Sequence, residues 1–140
     1  MVILITGKAG AGKTHYMHAL AKELTDAGKG VATFDGDALR GETGNKDFTD
    51  KGRIRNLIRA ASLARQHEYA GDIVLCAFVA PKKEWRDMMR RFWDASRVVY
   101  IPGGTLWKGT EYETPTEEEF AVKINSIMEE DKWQEQPQQK

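Results

Sequence analysis

Gly7-Lys8-Ala9-Gly10-Ala11-Gly12-Lys13-Thr14 satisfies the spacing G-x-x-x-x-G-K-[ST] at every required position. The chemistry this spacing serves is the cradling of a polyphosphate. Phosphate oxygens are wrapped by backbone N–H groups, and a chain that curls that tightly needs glycines to keep side chains out of the way. A helix opening near Thr14 adds unpaired N–H groups and the positive end of its dipole. In such a loop Lys13 bridges the β- and γ-phosphates of ATP, and the Thr14 hydroxyl ligates Mg²⁺. Gly7, Gly10, Ala11, Gly12, Lys13, Thr14 and His15 are thus the candidate nucleotide-binding residues. Average residue frequencies put the chance occurrence of the pattern in so short a chain well under about 1%.

Phosphate binding alone does not separate phosphoryl transfer from hydrolysis. The segment Phe34-Asp35-Gly36-Asp37-Ala38-Leu39-Arg40 supplies two carboxylates at the end of an apolar run, where a parallel sheet opens its ligand crevice. Asp35 and Asp37 are together the best carboxylates for organising a metal shell and for orienting or deprotonating an acceptor hydroxyl. Asp-Gly is also a common turn dipeptide, so a solvated turn is the plainer reading. The later strand end, Phe78-Val79-Ala80-Pro81, offers no carboxylate for the same work. Arg40, Arg53 and Asn56 flank the proposed site, and Lys82, Lys83 and Arg86 follow the later strand. Cations clustered after strand ends suggest an anionic acceptor held by charge-assisted hydrogen bonds. His15 and His18 lie one turn apart, with no third ligand at a convincing spacing for zinc.

These residues need elements to hold them. Apolar runs alternate with helical periods, which predicts βαβ units and a three-layer α/β fold of the P-loop type, its mostly parallel sheet of four to five strands flanked by helices. Val2 to Ile5, Val31 to Phe34, Asp72 to Ala80 and Arg97 to Ile101 read as strands, and Asp72 to Ala80 is apolar enough for a central one. Helices are predicted over Thr14–Ala27, Arg53–Tyr69 and Glu84–Phe92. In the second, Ile54, Leu57, Ile58, Ala61 and Ala64 share a face and Arg53, Arg55, Asn56 and Arg59 lie away from it. In the third, Trp85, Met88, Met89 and Phe92 form a core stripe. Gly103 to Thr114 reads as loop, with Trp107 and Tyr112 exposed and a short fifth strand drawn from Thr110 to Thr114 as an option. A last helix is expected from Thr116, with Glu119 completing a capping box and Phe120, Ile124, Ile127 and Met128 buried. Residues 1–131 read as one domain and 132–140 as a flexible polar tail.

Lys plus Arg equals Asp plus Glu in the 140 residues, giving a formal net charge of zero. That disfavours a protein whose main task is coating nucleic acid or an anionic membrane. The apolar N-terminus is too short for a signal peptide, and no run reaches bilayer length. A single cysteine, Cys76, forms no intrachain disulfide and suits a reducing compartment, so the cytoplasm is the expected location.

In order along the chain, the P-loop Gly7–Thr14, Asp35-Gly36-Asp37-Ala38-Leu39-Arg40, Asn45-Lys46-Asp47 with Phe48-Thr49, Arg53 with Asn56, and Phe78-Val79-Ala80-Pro81 with Arg86 resemble the adenylylsulfate (APS) kinase family. Ala80 stands where that family usually has Ser. The resemblance implies transfer of the ATP γ-phosphate to the 3′-hydroxyl of APS with Mg²⁺. It places Asp35 in the metal shell and Asp37 at the reacting hydroxyl. It also makes Arg40, Arg53, Asn56, Phe48, Phe78, Val79 and Lys82 the acceptor site. It weakens after about residue 95. There Gly103 to Lys108 and Glu111-Tyr112-Glu113-Thr114-Pro115 stand where the family has a long basic lid and a Tyr-Glu-x-Pro segment. Short chains of this kind also resemble phage-encoded or otherwise divergent members. Two alternatives stay open: a kinase for another hydroxyl (a nucleoside, a modified base or a polynucleotide end), and a non-catalytic ATP-binding regulator. A homodimer is a further possibility.

Overall fold

Val2–Thr6 (β1) is mostly β-branched and nearly all buried, the signature of a strand covered on both faces. It lies at the centre of a sheet whose description, like everything below, comes from a computed structural model covering residues 1–44, 48–106 and 109–125. After the P-loop come α1 (Lys13–Asp26), β2 (Val31–Asp35), α2 (Gly36–Thr43), α3 (Asp50–Tyr69) and β3 (Ile73–Phe78). The chain continues through α4 (Lys83–Arg90), β4 (Ala95–Tyr100), α5 (Glu117–Phe120) and β5 (Lys123–Ile124). The strand order is β2-β3-β1-β4-β5. The first four strands run parallel and β5 pairs antiparallel with β4.

Side chains alternate across β1 as a period of two demands. Val2 and Leu4 join Val74, Cys76 and Val98 against Leu57, Ala60, Ala61 and Ala64 of α3 and Trp85 and Met89 of α4. Ile5 joins Leu75 and Ala77 on the opposite face, against Met17 and Leu20 of α1. Two helical layers therefore enclose the sheet, as a three-layer α/β fold requires. The indole of Trp93, buried among the first set, donates to the Ala61 carbonyl at 3.0 Å, so its one polar atom carries no desolvation penalty.

The register brings Thr6 opposite Phe78 and Tyr100, and Asp35 opposite Ala77. All four carboxyl ends open on one edge of the sheet. The order in which strands are added reverses beside β1, with β3 and β2 on one side and β4 on the other. That reversal makes the end of β1 a crevice where ligands gather in such sheets.

Several expectations are corrected. Asp35–Arg40 is a strand end followed by a helix rather than a turn, because Asp35 Oδ1 caps α2 by accepting from the Asp37 and Ala38 amides at 2.9 and 3.2 Å. On α3 Asn56 is buried and Ile58 is 38% exposed, since the packed stripe runs through Gly52, Asn56, Leu57, Ala60, Ala61 and Ala64. The capping box at Thr116 is present, but the helix it opens ends at Phe120. Ile124 lies on β5, half-exposed, and Ile127 and Met128 lie outside the described residues, as does 132–140. The fifth strand is Lys123–Ile124 and not a stretch of Thr110–Thr114. Among the described residues no helix is long and apolar enough to cross a membrane.

Arg86 departs furthest from expectation. It is fully buried, and its guanidinium donates to Glu119 Oε1, to the Ala80 carbonyl and to the Glu113 carbonyl, each at 2.8 Å. It ties α4 to α5, and these three bonds direct its guanidinium into the protein. Glu119 in turn accepts from the Thr116 amide at 2.8 Å. Removing one member of such a buried pair strands the other charge, so Arg86→Met should cost about 3–5 kcal/mol, read from the shift in urea midpoint. The double variant Arg86→Met/Glu119→Leu should recover much of that loss, because no charge is then left unpaired. Equal losses in the single and double variants would mean the ion pair is not what holds the two helices together.

Candidate active site

Gly10 and Gly12 have φ of +76° and +102°, left-handed values that side chains with a Cβ resist. Their backbone bends the loop so that Ala9, Gly10, Gly12, Lys13, Thr14 and His15 face a cleft of about 810 Å³ closed on its far side by Asp35, Gly36, Asp37, Ala77 and Val79. Gly7 is buried behind the loop, where a Cβ would run into the Ile101 carbonyl. Ala11 also lies outside the cleft lining, its amide closing a turn onto the Lys8 carbonyl at 3.2 Å. Ala9 is a lining residue that the motif pattern, which leaves its position unspecified, did not single out. The chain after β4 latches onto the loop: the Thr105 amide donates to the Ala9 carbonyl at 2.9 Å. A Cβ on Gly104 would collide with that same carbonyl.

Lys13 folds over the loop, its Nζ donating to the Lys8 carbonyl at 2.9 Å. Burial pulls its pKa below the ordinary lysine value, and the nearby Asp37 and Asp35 charges pull in the other direction. The Thr14 hydroxyl donates to Asp35 Oδ2 at 2.6 Å. Asp35 thereby spans the two elements, one oxygen capping α2 and the other on the first turn of α1. A hydroxyl and a carboxylate in contact are hard oxygen donors of the kind that suit a hydrated Mg²⁺ held with phosphate. The open left-handed cradle, its single ammonium and this oxygen pair fit a Mg²⁺–triphosphate.

A second cleft, of about 490 Å³, adjoins the first. Its walls include Asp37, Arg40, Phe48, Arg53, Asn56, Phe78 and Val79, so seven of the predicted acceptor-side residues do converge. Asp37 and Val79 line both clefts. The Arg40 guanidinium sits 4.7 Å above the Phe48 ring, a stack that orients the cation. Asn56 is buried, and its Oδ1 has no hydrogen-bond partner among the described residues. A buried acceptor left unmade is costly, so it fits a ligand N–H or O–H.

Lys82 is absent from the cleft lining. It pairs with Asp50 at 3.5 Å and lies 5.1 Å from the Trp85 ring, while Lys83 pairs with Asp87 at 2.7 Å. Ala80, Pro81 and Trp85 line the second cleft instead. Sequence reasoning assigned Trp85 to the core stripe, and it serves both. Tyr112 is half-buried rather than exposed, with its hydroxyl 2.8 Å from Thr6 Oγ1. Asn45–Asp47 and Trp107 fall outside the described residues.

Comparison with known proteins points to one family. The family model described as adenylylsulphate kinase matches residues 1–102. A probable adenylyl-sulfate kinase of Aeropyrum pernix is 36% identical over 102 residues, covering 72% of this chain and 56% of the relative. The adenylyl-sulfate kinase of Bacillus velezensis is 37% identical over 91 residues, covering 64% and 46%. The structure of a Mycobacterium tuberculosis APS kinase in complex with AMPPNP and APS superposes with a TM-score of 0.67 at 26% identity, covering 71% of this chain and 61% of that one. The chain thus spans about half the length of the curated relatives it matches.

Proposed function

We propose a function from one premise: the chain belongs to the adenylylsulphate kinase family. It transfers the γ-phosphate of ATP to the 3′-hydroxyl of APS. The observation that carries this reading is that one carboxylate, Asp37, lines both the phosphate cleft and the acceptor cleft. A group so placed sits between donor and acceptor.

In this reading the P-loop amides and Lys13 hold the triphosphate, and Thr14 with Asp35 holds Mg²⁺. When bound, the metal neutralises charge developing on the phosphate oxygens. Asp37 accepts the proton of the acceptor hydroxyl as that oxygen bonds to the γ-phosphorus. The bond from the γ-phosphorus to the β–γ bridging oxygen breaks, and ADP leaves with the bridging oxygen. Arg40 and Arg53 supply charge for an anionic nucleotide, Phe48 and Phe78 supply apolar surface, and Asn56 supplies the waiting acceptor atom.

A second reading, a kinase for another hydroxyl acceptor, draws on one observation: the family match ends at residue 102, so the chain beyond it departs from the family pattern. Both readings are tested by ADP release from ATP–Mg²⁺ with and without APS. Stimulation by APS, with one equivalent of phosphorylated APS per ADP, is the expected result. Tight ATP binding with no stimulation would rule out APS and leave the second reading.

A further inference from the structure

We propose that Tyr112 is a positioning residue that, through Thr6, holds the wall Val79–Pro81 in the shape the acceptor side requires. The kinetic part of this proposal rests on the functional reading above. Val79 lines both clefts, and Ala80 and Pro81 line the acceptor cleft. Each of their three carbonyls is held from outside the segment. Thr6 Oγ1 donates to the Val79 carbonyl at 2.5 Å, Arg86 donates to that of Ala80 at 2.8 Å, and the Glu113 amide donates to that of Pro81 at 2.8 Å.

Counting protons gives the first link a direction. A carbonyl only accepts, so the single hydroxyl proton of Thr6 goes to Val79. The 2.8 Å contact between Thr6 Oγ1 and Tyr112 Oη is then donated by the phenol. The result is a directed chain from the Tyr112 hydroxyl to that of Thr6 to the Val79 carbonyl. Tyr112 is fixed by stacking on Tyr100, centroids 5.8 Å apart and planes 22° from parallel, and by the Arg86 guanidinium 5.8 Å from its ring. Burial raises its pKa, which keeps the phenol in the donor form.

The wall needs such holding. Ala80 has a φ of +40°, a left-handed backbone that a residue with a Cβ keeps only when its surroundings impose it. A wall that relaxes there moves the surface the acceptor rests on, and small misplacements weaken reactive alignment. One of the three donors, Glu113, and the Tyr112 hydroxyl behind Thr6 lie beyond the 1–102 span of the family match.

Tyr112→Phe in the full chain tests this, since it keeps the ring and removes only the hydroxyl. The expected result is an acceptor KM raised about threefold to tenfold, with a smaller change in kcat. Affinity for AMPPNP should stay within about twofold, because Val79 alone of the three wall residues lines the phosphate cleft, whereas all three line the acceptor cleft. An unchanged KM, or an AMPPNP affinity that falls in the same proportion, would overturn the proposal. If the wild-type chain does not respond to APS, the acceptor reading fails on its own, and the wall is judged by amide hydrogen exchange. Faster exchange across 78–82 in the variant, with β1 unchanged, supports the proposal. Equal protection overturns it whatever the acceptor.

Discussion

Lys13→Ala is expected to abolish measurable AMPPNP binding by titration calorimetry and to lower any ATP-dependent turnover by about 10²–10³-fold or more, the scale of losing one preorganised donor to a developing anion. Among the described residues Lys13 is the one ammonium that both lines the phosphate cleft and sits within reach of the loop carbonyls. The control is Lys8→Ala. Lys8 contributes its carbonyl, which the substitution keeps, so binding should stay within about threefold. The sign of the pH effect follows from the cause of the shift. Burial holds the Lys13 pKa below the ordinary value, whereas a bound triphosphate favours the ammonium and raises it. Binding therefore takes up a proton in the window between the two values, and affinity falls as pH rises through it. That alkaline fall should be missing from Lys13→Ala. Full binding by the variant would remove the basis for reading Gly7–Thr14 as a nucleotide loop.

The loop was legible because its demands are local. Left-handed turns select glycine, and a strand before and a helix after are visible as apolar periods. Asp35 and Asp37 were legible for a related reason, since strand ends in a parallel sheet converge whatever the rest of the chain does. Arg86 was not. A cation after a strand end resembles a ligand for anions, yet two of its partners are the carbonyls of Ala80 and Glu113, groups that every residue carries and no pattern marks. The last helix was overextended because its stop is tertiary. Arg90, buried in α4, donates to the Glu119 and Ala121 carbonyls at 3.2 Å each, satisfying groups that a longer helix would have bonded itself.

The short fifth strand has the same origin. Asn125 anchors the chain after it, donating from its backbone to the Asp94 carbonyl at 2.9 Å and from its side chain to the Arg91 carbonyl at 2.7 Å. A two-residue strand held by such anchors owes little to β propensity. Asn56 and Ile58 were exchanged for a related reason. A helix of small residues, with Gly52, Ala60, Ala61 and Ala64 on its buried side, gives a weak hydrophobic period. The packed stripe can then rotate toward the cleft and carry an amide inward. A buried amide with an open acceptor atom is the cost of making that helix serve core and site together.

Asp37→Asn is expected to lower acceptor-dependent turnover by about 10²–10⁴-fold, in stopped assays of phosphorylated acceptor, while AMPPNP binds within about threefold of wild type. The substitution keeps the shape and the backbone amide that donates to Asp35 Oδ1, so the cap of α2 survives. What it removes is the capacity to take a proton. Two charge effects oppose one another. Loss of the carboxylate relieves repulsion of a triphosphate, and it also withdraws one of the charges raising the Lys13 pKa. Below the Lys13 pKa the ammonium stays formed and the first effect dominates, so nucleotide affinity should hold or improve slightly. At higher pH the second effect brings the alkaline fall in affinity to an earlier point than in wild type. A variant whose kcat falls while its acceptor KM changes little has lost a group that acts in the transition state. If instead Asp37→Asn weakens AMPPNP as Lys13→Ala does, Asp37 belongs to the nucleotide site alone, and the group between donor and acceptor must be sought elsewhere on the Val79 wall.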